Sequence, residues 1–145
     1  DQALFAQYGG ASYVAVLLVD IDLAAGTASV VDAGSPRMLR VRGNEIKRLE
    51  FDEQLPLGMF EETRYVEQAL ELQPGDRLVI VSDGVHRATG VEQPFGDSVL
   101  DDAILSSRLL SAQETVRHLL AALHDHHADD LEDDAVVFCL DWLSR

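Results

Sequence analysis

Through the first half of the chain, hydrophobic and polar residues follow the short period of β-strands. Apolar, β-branched runs and one alternating run predict strands over residues 12–22, 28–34, 64–73 and 77–82. Two of these, 12–22 and 77–82, are apolar at successive positions, which favours burial on both faces and, for 12–22, a central place in its sheet. Gly43-Asn44 separates two further runs and predicts a tight hairpin. Strands joined by short turns indicate an antiparallel meander and argue against a doubly wound parallel sheet.

The second half of the chain changes to a helical period. One helix is predicted to begin at Asp97, with apolar residues on one side at Val99, Leu100, Ala103 and Ile104. A second is predicted over residues 111–127, where Ser111 and Glu114 have the spacing of a capping box. A last strand is predicted over residues 134–142. Strands, two helices and a final strand predict one α+β domain over residues 1–145, with helices on a sheet face.

Composition narrows the class of protein. The chain has 145 residues, 47% of them hydrophobic, which suffices for one domain with its own core. A mean hydropathy of +0.01, with no apolar run near the length of a membrane helix, argues against a membrane span. A net charge of −15 argues against nucleic acid as a partner, since phosphate backbones are repelled. The lone Cys139 is predicted to be a core residue, and its isolation suits a cytoplasmic protein.

Carboxylates stand where two apolar strands meet loops. Asp83 follows the strand 77–82, and Asp133 and Asp134 precede the last strand. If these strands pair antiparallel, the two ends are adjacent and the carboxylates converge. Converging carboxylates repel one another unless a cation lies between them, and Mg²⁺ and Mn²⁺ accept such oxygen ligands. Taken singly, each aspartate is more commonly a turn residue or a cap-like group, so spacing alone leaves both interpretations open.

A second acidic pair suggests a different chemistry. Asp20 and Asp22 end an apolar strand, as in phosphatases of the haloacid-dehalogenase type, where Asp20 would accept the phosphate and Asp22 would act as acid and base. However, a hairpin is predicted directly after them. The only lysine, Lys47, lies in another predicted hairpin, away from any phosphate-binding position. We therefore favour a turn role for both aspartates.

Histidines gather near the end of the second predicted helix. They are His118, His124, His126 and His127. Such residues are favoured near a helix C-terminus by the helix dipole, and we interpret the group as a solvated helix end. Zinc binding is the alternative, although His118 and His124 do not have i, i+4 spacing. His86 and Arg87, which follow Asp83 closely, give a weak indication of phosphate binding.

Taken in order, several motifs resemble those of PPM-type serine/threonine phosphatases of the SpoIIE/RsbU kind, relatives of the protein phosphatase 2C fold. The resembling segments are a strand–turn–strand ending in Ala-Gly-Ser-Pro, a Pro-Leu-Gly turn, a Pro-Gly-Asp turn, the signature Ser-Asp-Gly-Val, Phe95-Gly96, and the closing "LEDDAVVFCLDW". No single segment is specific, but their collinear order covers nearly the whole chain.

The resemblance implies a fold, a cofactor and a substrate. The fold would be a β-sandwich flanked by helices, in α-β-β-α layers. The cofactor would be a pair of Mn²⁺ or Mg²⁺ ions that bridge a hydroxide attacking phosphoserine or phosphothreonine. Asp83 and Asp133 match metal ligands of the family, while Gly84 and Asp134 match neighbouring or alternate positions. The substrate would be a phosphorylated anti-sigma-factor antagonist, and the parent chain would carry an upstream sensor or receiver domain.

Two departures from the family pattern stand out. Ser35 occupies the position of the family's histidine in Ala-Gly-His-Pro. The family's early metal-binding aspartate and its Asp-x-x-Gly-His-Gly segment have no counterpart, and we expect them upstream of Asp1. Two hypotheses follow: a trimmed piece of an active phosphatase, or a non-catalytic, phosphatase-like module that binds a signalling partner. In either case, we expect the 145-residue chain alone to bind metal poorly and to be nearly inactive.

Overall fold

The computed structural model describes residues 1–34, 37–86, 97–126 and 134–143, and positions 83, 86, 97 and 126 by their backbone alone. These residues form α1 (Gln2–Tyr8), β1 (Val16–Asp22), β2 (Thr27–Ala33), β3 (Arg37–Arg42), β4 (Glu45–Leu49), β5 (Gln68–Leu70), β6 (Arg77–Val81), α2 (Asp83–His86), α3 (Asp97–Ser106), α4 (Ala112–His126) and β7 (Val137–Asp141). They fall into two compact units. Unit 1 is Asp1–Pro36 with Glu50–Leu72, and unit 2 is Arg37–Leu49 with Gln73–Arg145.

Unit 1 contains a three-stranded antiparallel sheet in the order β1-β2-β5. β1 and β2 pair from Val16 opposite Ala33 to Asp22 opposite Thr27. Asp22 closes the turn between them, because its Oδ1 accepts hydrogen bonds from the backbone amides of Ala24 (2.8 Å) and Ala25 (2.9 Å). The predicted turn after β1 and the return strand are therefore confirmed.

The prediction that residues 12–22 form a central strand buried on both faces is wrong for the described chain. β1 pairs with β2 alone there and lies at the edge of its sheet. Leu18 is 54% exposed, and Asp20 and Asp22 on the same face are exposed as well. A continuous apolar run does not by itself distinguish an edge strand from a central one, since the run does not contain the partner strands.

The predicted strand over residues 64–73 is much shorter, since β5 comprises only Gln68–Leu70. Around the start of β5, hydrogen bonds from glutamine side chains to the backbone take the place of strand pairing. Gln54 accepts from the amide of Val66 (2.7 Å) and donates to its carbonyl (2.9 Å), and Gln68 makes the same reciprocal pair with the backbone of Asp52. Because a glutamine side chain can replace a strand partner at these positions, alternation alone overestimated the strand.

The sequence pattern gave no indication of helix α1. Gly9 ends this helix in the left-handed conformation (φ 58°), and its amide donates to the carbonyl of Phe5 (2.7 Å). Gly58, in the predicted Pro-Leu-Gly turn, has a φ of 84° and donates its amide to Asp1 Oδ1 (2.7 Å). That turn is confirmed, and it also holds the start of α1.

Unit 2 contains a four-stranded antiparallel sheet in the order β4-β3-β6-β7. The predicted hairpin at Gly43 joins β3 to β4, with a φ of 60° at the glycine. β6 lies between two strands and is buried on both faces, as predicted, since Leu78 and Val79 are 2% and 0% exposed. The predicted helices α3 and α4 form the core of this unit with the sheet, through buried residues at Leu39, Val41, Val79, Val81, Val85, Leu100, Ala103, Ile104, Leu119 and Leu123. The α+β class is confirmed.

A buried arginine connects the sheet of unit 2 to its helices. Arg77, at the start of β6, forms a bidentate ion pair with Asp141 on β7, at 2.5 and 3.0 Å. Its other nitrogen contacts reach Thr115 Oγ1 (2.7 Å), the carbonyl of Leu110 (2.7 Å) and the carbonyl of Ser107 (3.3 Å). The hydrogen bonds to Asp141 raise the pKa of Arg77 against the opposing effect of burial. One side chain thus fixes the α3–α4 connection against the sheet.

The neighbouring Asp76 is a buried carboxylate with a structural role. Its side chain accepts from Arg42 Nε (2.7 Å) and a second guanidinium nitrogen of Arg42 (2.8 Å), and from the amide of Gln73 (2.7 Å). The hydrogen bonds from Arg42 lower the pKa of Asp76, although burial opposes them. The backbone of Asp76 also contacts the C-terminal segment, because its carbonyl accepts a hydrogen bond from the amide of Trp142 (2.8 Å). The Pro-Gly-Asp turn is therefore anchored by charge.

In the part of the chain that the structure describes, none of the helices has the length and apolar character needed to cross a membrane.

Candidate metal centre

The C-terminal end of β6 lies beside the segment that leads into β7, at one end of these two strands in unit 2. Their last ladder pair joins Val81 to Val137, and the amide of Ser82 donates to the carbonyl of Val136 (3.0 Å). The Ser82 hydroxyl continues the contact, since it donates to the carbonyl of Asp134 (3.2 Å) and accepts from the amide of Val136 (2.9 Å). The strand pairing assumed in the sequence analysis is thus present.

Of the four predicted site residues, the structure describes Gly84 and Asp134 in full and Asp83 by its backbone, and these three lie at the junction. Asp83 follows Ser82 directly and begins α2, whose first turn is held by a hydrogen bond from the amide of Val85 to the carbonyl of Ser82 (3.1 Å). Gly84 is buried within that turn, and Asp134 is exposed at the start of the opposite segment. Asp133 lies outside the described residues. The fold therefore brings the two segments together, and the ligand roles of Asp83 and Asp133 stay predictions.

Asp20 and Asp22 lie in unit 1, on β1. They border an open cleft of about 440 Å³ whose lining includes Ser29 and Glu67. Asp22 Oδ1 is engaged in the turn after β1, Asp20 lies opposite Ser29, and the Ser29 hydroxyl donates to Glu67 Oε2 (3.2 Å). β1 runs directly into a hairpin, as predicted. These contacts confirm the turn role for Asp22, whereas Asp20 lies within β1, two residues before the turn.

The histidines of α4 have ordinary surroundings where they are described. His118 Nε2 shares a hydrogen bond with the Ser106 hydroxyl (2.8 Å), and His124 is exposed. His127, Arg87, Ser35 and the Phe95-Gly96 pair lie outside the described residues. Across the side chains that the structure does describe, no three histidine, cysteine, aspartate or glutamate residues are grouped so as to hold a metal ion.

Cys139 contacts the helix-facing core of unit 2, as predicted. It is half-buried on β7, and burial raises the pKa of its thiol.

Ser82 is the residue that sequence reasoning overlooked at this junction. The sequence places it at the end of a strand and within the Ser-Asp-Gly-Val signature, but neither pattern assigns it a role of its own. The available signal was its place between a buried strand and an aspartate, where a hydroxyl can bond to backbone groups that extend past the ladder. Its partners lie 52 and 54 residues further along the chain, a separation that no local pattern encodes.

The family model described as "Stage II sporulation protein E (SpoIIE)" matches residues 1–143. The chain belongs to the SpoIIE family. No curated protein sequence matched it.

Solved structures share the fold of this SpoIIE-family chain. The phosphatase domain of SpoIIE from Bacillus subtilis, presoaked with Mn, superposes with a TM-score of 0.70 at 20% identity, covering 90% of this chain and 57% of that one. The catalytic domain of the serine/threonine protein phosphatase PstP, in complex with two manganese ions, gives a TM-score of 0.70 at 18% identity, covering 99% and 66%. The PPM Ser-Thr phosphatase MsPP from Mycobacterium smegmatis, in complex with cacodylate, gives 0.65 at 21% identity, covering 87% and 60%.

These likenesses establish the architecture of PPM phosphatase domains and confirm the family resemblance found in the sequence motifs. The chain spans 57% of the SpoIIE phosphatase domain and 66% of the PstP catalytic domain.

Proposed function

We propose that this chain forms part of a single metal-dependent phosphatase domain that dephosphorylates phosphoserine or phosphothreonine in a bacterial regulatory protein. The proposed substrate class is a phosphorylated anti-sigma-factor antagonist. The observation that carries the proposal is the β6–β7 junction, where the Asp83 and Asp134 segments are joined by hydrogen bonds in a chain of the SpoIIE family. An upstream sensor or receiver domain and a cytoplasmic location belong to the same proposal.

The chemistry of the junction suits Mn²⁺ or Mg²⁺. Asp83 and Asp133 would hold the ions, with Asp134 as an alternate ligand or a neighbour that orients one, and all three offer carboxylate oxygens. Hard divalent cations prefer such oxygen donors to nitrogen or sulfur. When bound, the ions supply a nucleophile derived from water and stabilise the charge that develops on the phosphoryl group.

The contribution of this chain's own residues is to hold the proposed metal ligand Asp83 in place. β6 is buried on both faces, so Asp83, two residues beyond its end, follows a firmly packed strand. Gly84 is buried in the first turn of α2 and presents no side chain beside Asp83. The buried strand and this compact turn limit how far the Asp83 backbone can move, which is what a ligand of fixed geometry requires.

A non-catalytic binding module is the second candidate function. It would apply if the residues upstream of Asp1 lack the family's early metal-binding aspartate and its Asp-x-x-Gly-His-Gly segment. A SpoIIE-family domain without those ligands would bind a phosphorylated partner without turning it over. The residues upstream of Asp1 distinguish the two hypotheses directly, because the catalytic form requires the missing ligands there.

Mn²⁺-dependent hydrolysis of p-nitrophenyl phosphate tests the proposal, using the chain extended by its natural upstream residues. Asp83→Ala and Asp133→Ala are each expected to lower the Mn²⁺-dependent rate on the order of 100-fold, because each removes a ligand that positions the ions. Asp20→Asn is the control and is expected to leave the rate unchanged.

Each alternative hypothesis predicts a different result in this assay or in a companion measurement. Full activity in both alanine variants would overturn the ligand assignment. Loss of activity in Asp20→Asn, together with a phospho-intermediate mimicked by beryllofluoride, would favour the haloacid-dehalogenase mechanism instead. Binding of a phosphorylated antagonist without hydrolysis by the extended chain would favour the binding module.

A further inference from the structure

Four hydrogen bonds converge on Ser82. Its amide donates to the carbonyl of Val136, and its carbonyl accepts from the amide of Val85 in the first turn of α2. Its hydroxyl donates to the carbonyl of Asp134 and accepts from the amide of Val136. Ser82 therefore contacts three segments at once: the end of β6, the start of α2, and the residues before β7.

The two side-chain bonds reach where the strand ladder does not. β7 begins at Val137, so the hydroxyl extends the contact between the segments back to residue 134. A hydroxyl can donate and accept at the same time, and Ser82 uses both capacities here. Alanine at this position would keep the backbone bonds of β6 and lose both side-chain bonds.

We propose that Ser82 is a positioning residue of the metal centre, whose hydroxyl fixes the spacing between the backbones of Asp83 and Asp134. The inference rests on the proposed function, because it takes these aspartates as the metal-holding residues. Asp83 is the next residue after Ser82, and residue 134 is bonded to the Ser82 hydroxyl, so the two segments cannot separate without breaking these bonds. A metal ion bound between them would then meet backbone segments that are already held together, which raises its affinity.

Mn²⁺ affinity provides the test, measured by calorimetry on the chain extended by its natural upstream residues. Ser82→Ala is expected to weaken Mn²⁺ binding about tenfold, the scale seen when groups that orient metal ligands are removed. Ser82→Thr keeps the hydroxyl and is expected to bind Mn²⁺ like the wild type. Ser82→Val has the shape of threonine without its hydroxyl, so this isosteric pair isolates the hydroxyl even if the alanine variant does not fold.

Two further measurements separate positioning from general stability. Ser106→Ala is the matched control, since the Ser106 hydroxyl also bonds to a backbone carbonyl, that of Ala103 (2.9 Å), on a helix outside the junction. It is expected to leave Mn²⁺ affinity unchanged. Amide hydrogen exchange without metal is expected to be faster at Val136 in the valine variant than in the threonine variant, because the acceptor of that amide is lost.

The outcomes distinguish a failure of the Ser82 inference from a failure of the proposed function. If the wild type binds Mn²⁺ and the valine variant binds it equally well, the positioning role of Ser82 is wrong and the proposed function stands. If the wild type binds no Mn²⁺, the proposed function fails and takes this inference with it. If Ser106→Ala weakens binding as much as Ser82→Val, the effect is one of overall stability and the positioning role is again wrong.

Discussion

Replacing Arg77 by methionine removes the charged group that joins the sheet of unit 2 to its helices. Methionine keeps the apolar stem, so the change isolates the guanidinium from its packing. The lost contacts are those to Asp141, Thr115, and the carbonyls of Ser107 and Leu110. We expect a large loss of stability, because the Arg77 side chain is only 10% exposed and water cannot replace all of these bonds.

The expected loss is about 3 kcal/mol, assembled from three contributions. The charge-assisted pair with Asp141 contributes about 1.5 kcal/mol, the low end of the usual range, because the Asp141 side chain is 29% exposed and regains water. The bond to buried Thr115 adds about 1 kcal/mol, since that hydroxyl keeps only its longer bond to Ser107 (3.3 Å). The Leu110 carbonyl, on an exposed residue, adds about 0.5 kcal/mol.

Urea titration followed by the fluorescence of Trp142 measures this loss. Trp142 is the only tryptophan and lies in unit 2, so it reports the unfolding of that unit even if unit 1 unfolds separately. With a slope of about 2 kcal/mol/M, the midpoint should fall by about 1.5 M. Arg108→Met is the control, because its guanidinium bonds to an exposed carbonyl of Leu105, and we expect a change within about 0.5 kcal/mol. A midpoint for Arg77→Met no lower than that of the control would refute the role assigned to Arg77.

Two further predictions concern charge and backbone conformation. Because the hydrogen bonds from Arg42 lower the pKa of Asp76, this carboxylate stabilises the fold at pH values above its unfolded pKa of about 3.9, and the contribution is lost as the pH falls through the lower folded value. Urea titrations repeated at several pH values from 7 to 3 should therefore show that the free energy of unfolding falls more steeply with acid in the wild type than in Asp76→Asn. Parallel curves for the two proteins would contradict this. Gly58→Ala should destabilise unit 1 by about 1–3 kcal/mol, since the glycine has a φ of 84° and an added Cβ would lie 2.8 Å from that of Leu4. Gly43→Ala, at a φ of 60° with open space around it, should lose less stability, as measured by thermal unfolding. Equal losses of stability in the two variants would mean that crowding at Gly58 is unimportant.

Secondary structure was largely predictable because its causes are local. Helix α4 is the clearest case. Ser111 and Glu114 form the predicted capping box, with the Ser111 amide bonded to Glu114 Oε2 (2.9 Å) and the Glu114 amide to Ser111 Oγ (3.3 Å). The buried strand β6 was equally accessible, since its apolar run is short and bounded by turn residues. The edge position of β1 was not, because an edge is a property of the strands beside it.

The site was predictable only in outline. Carboxylates at strand ends identified the β6–β7 junction, and antiparallel pairing brought its two segments together as expected. The contacts that complete the junction depend on residues far apart in sequence. Ser82 bonds to Asp134 across 52 residues, and Asp76 binds Arg42 across 34. Such pairs follow from the register of the sheet, which a single sequence does not encode locally.

The register of β6 links the stability of unit 2 to the position of its proposed site. At one end of this strand, Arg77 is fixed by its ion pair with Asp141, and at the other Ser82 is bonded to the segment before β7. A slip of one residue would turn Val79 and Val81 to the opposite face of the sheet and break their packing against α3 and α4. Because Asp83 follows within two residues of Val81, the same burial that stabilises the core also fixes where Asp83 leaves the sheet. The packing that stabilises the core of this unit therefore also determines the placement of the proposed metal-binding residue.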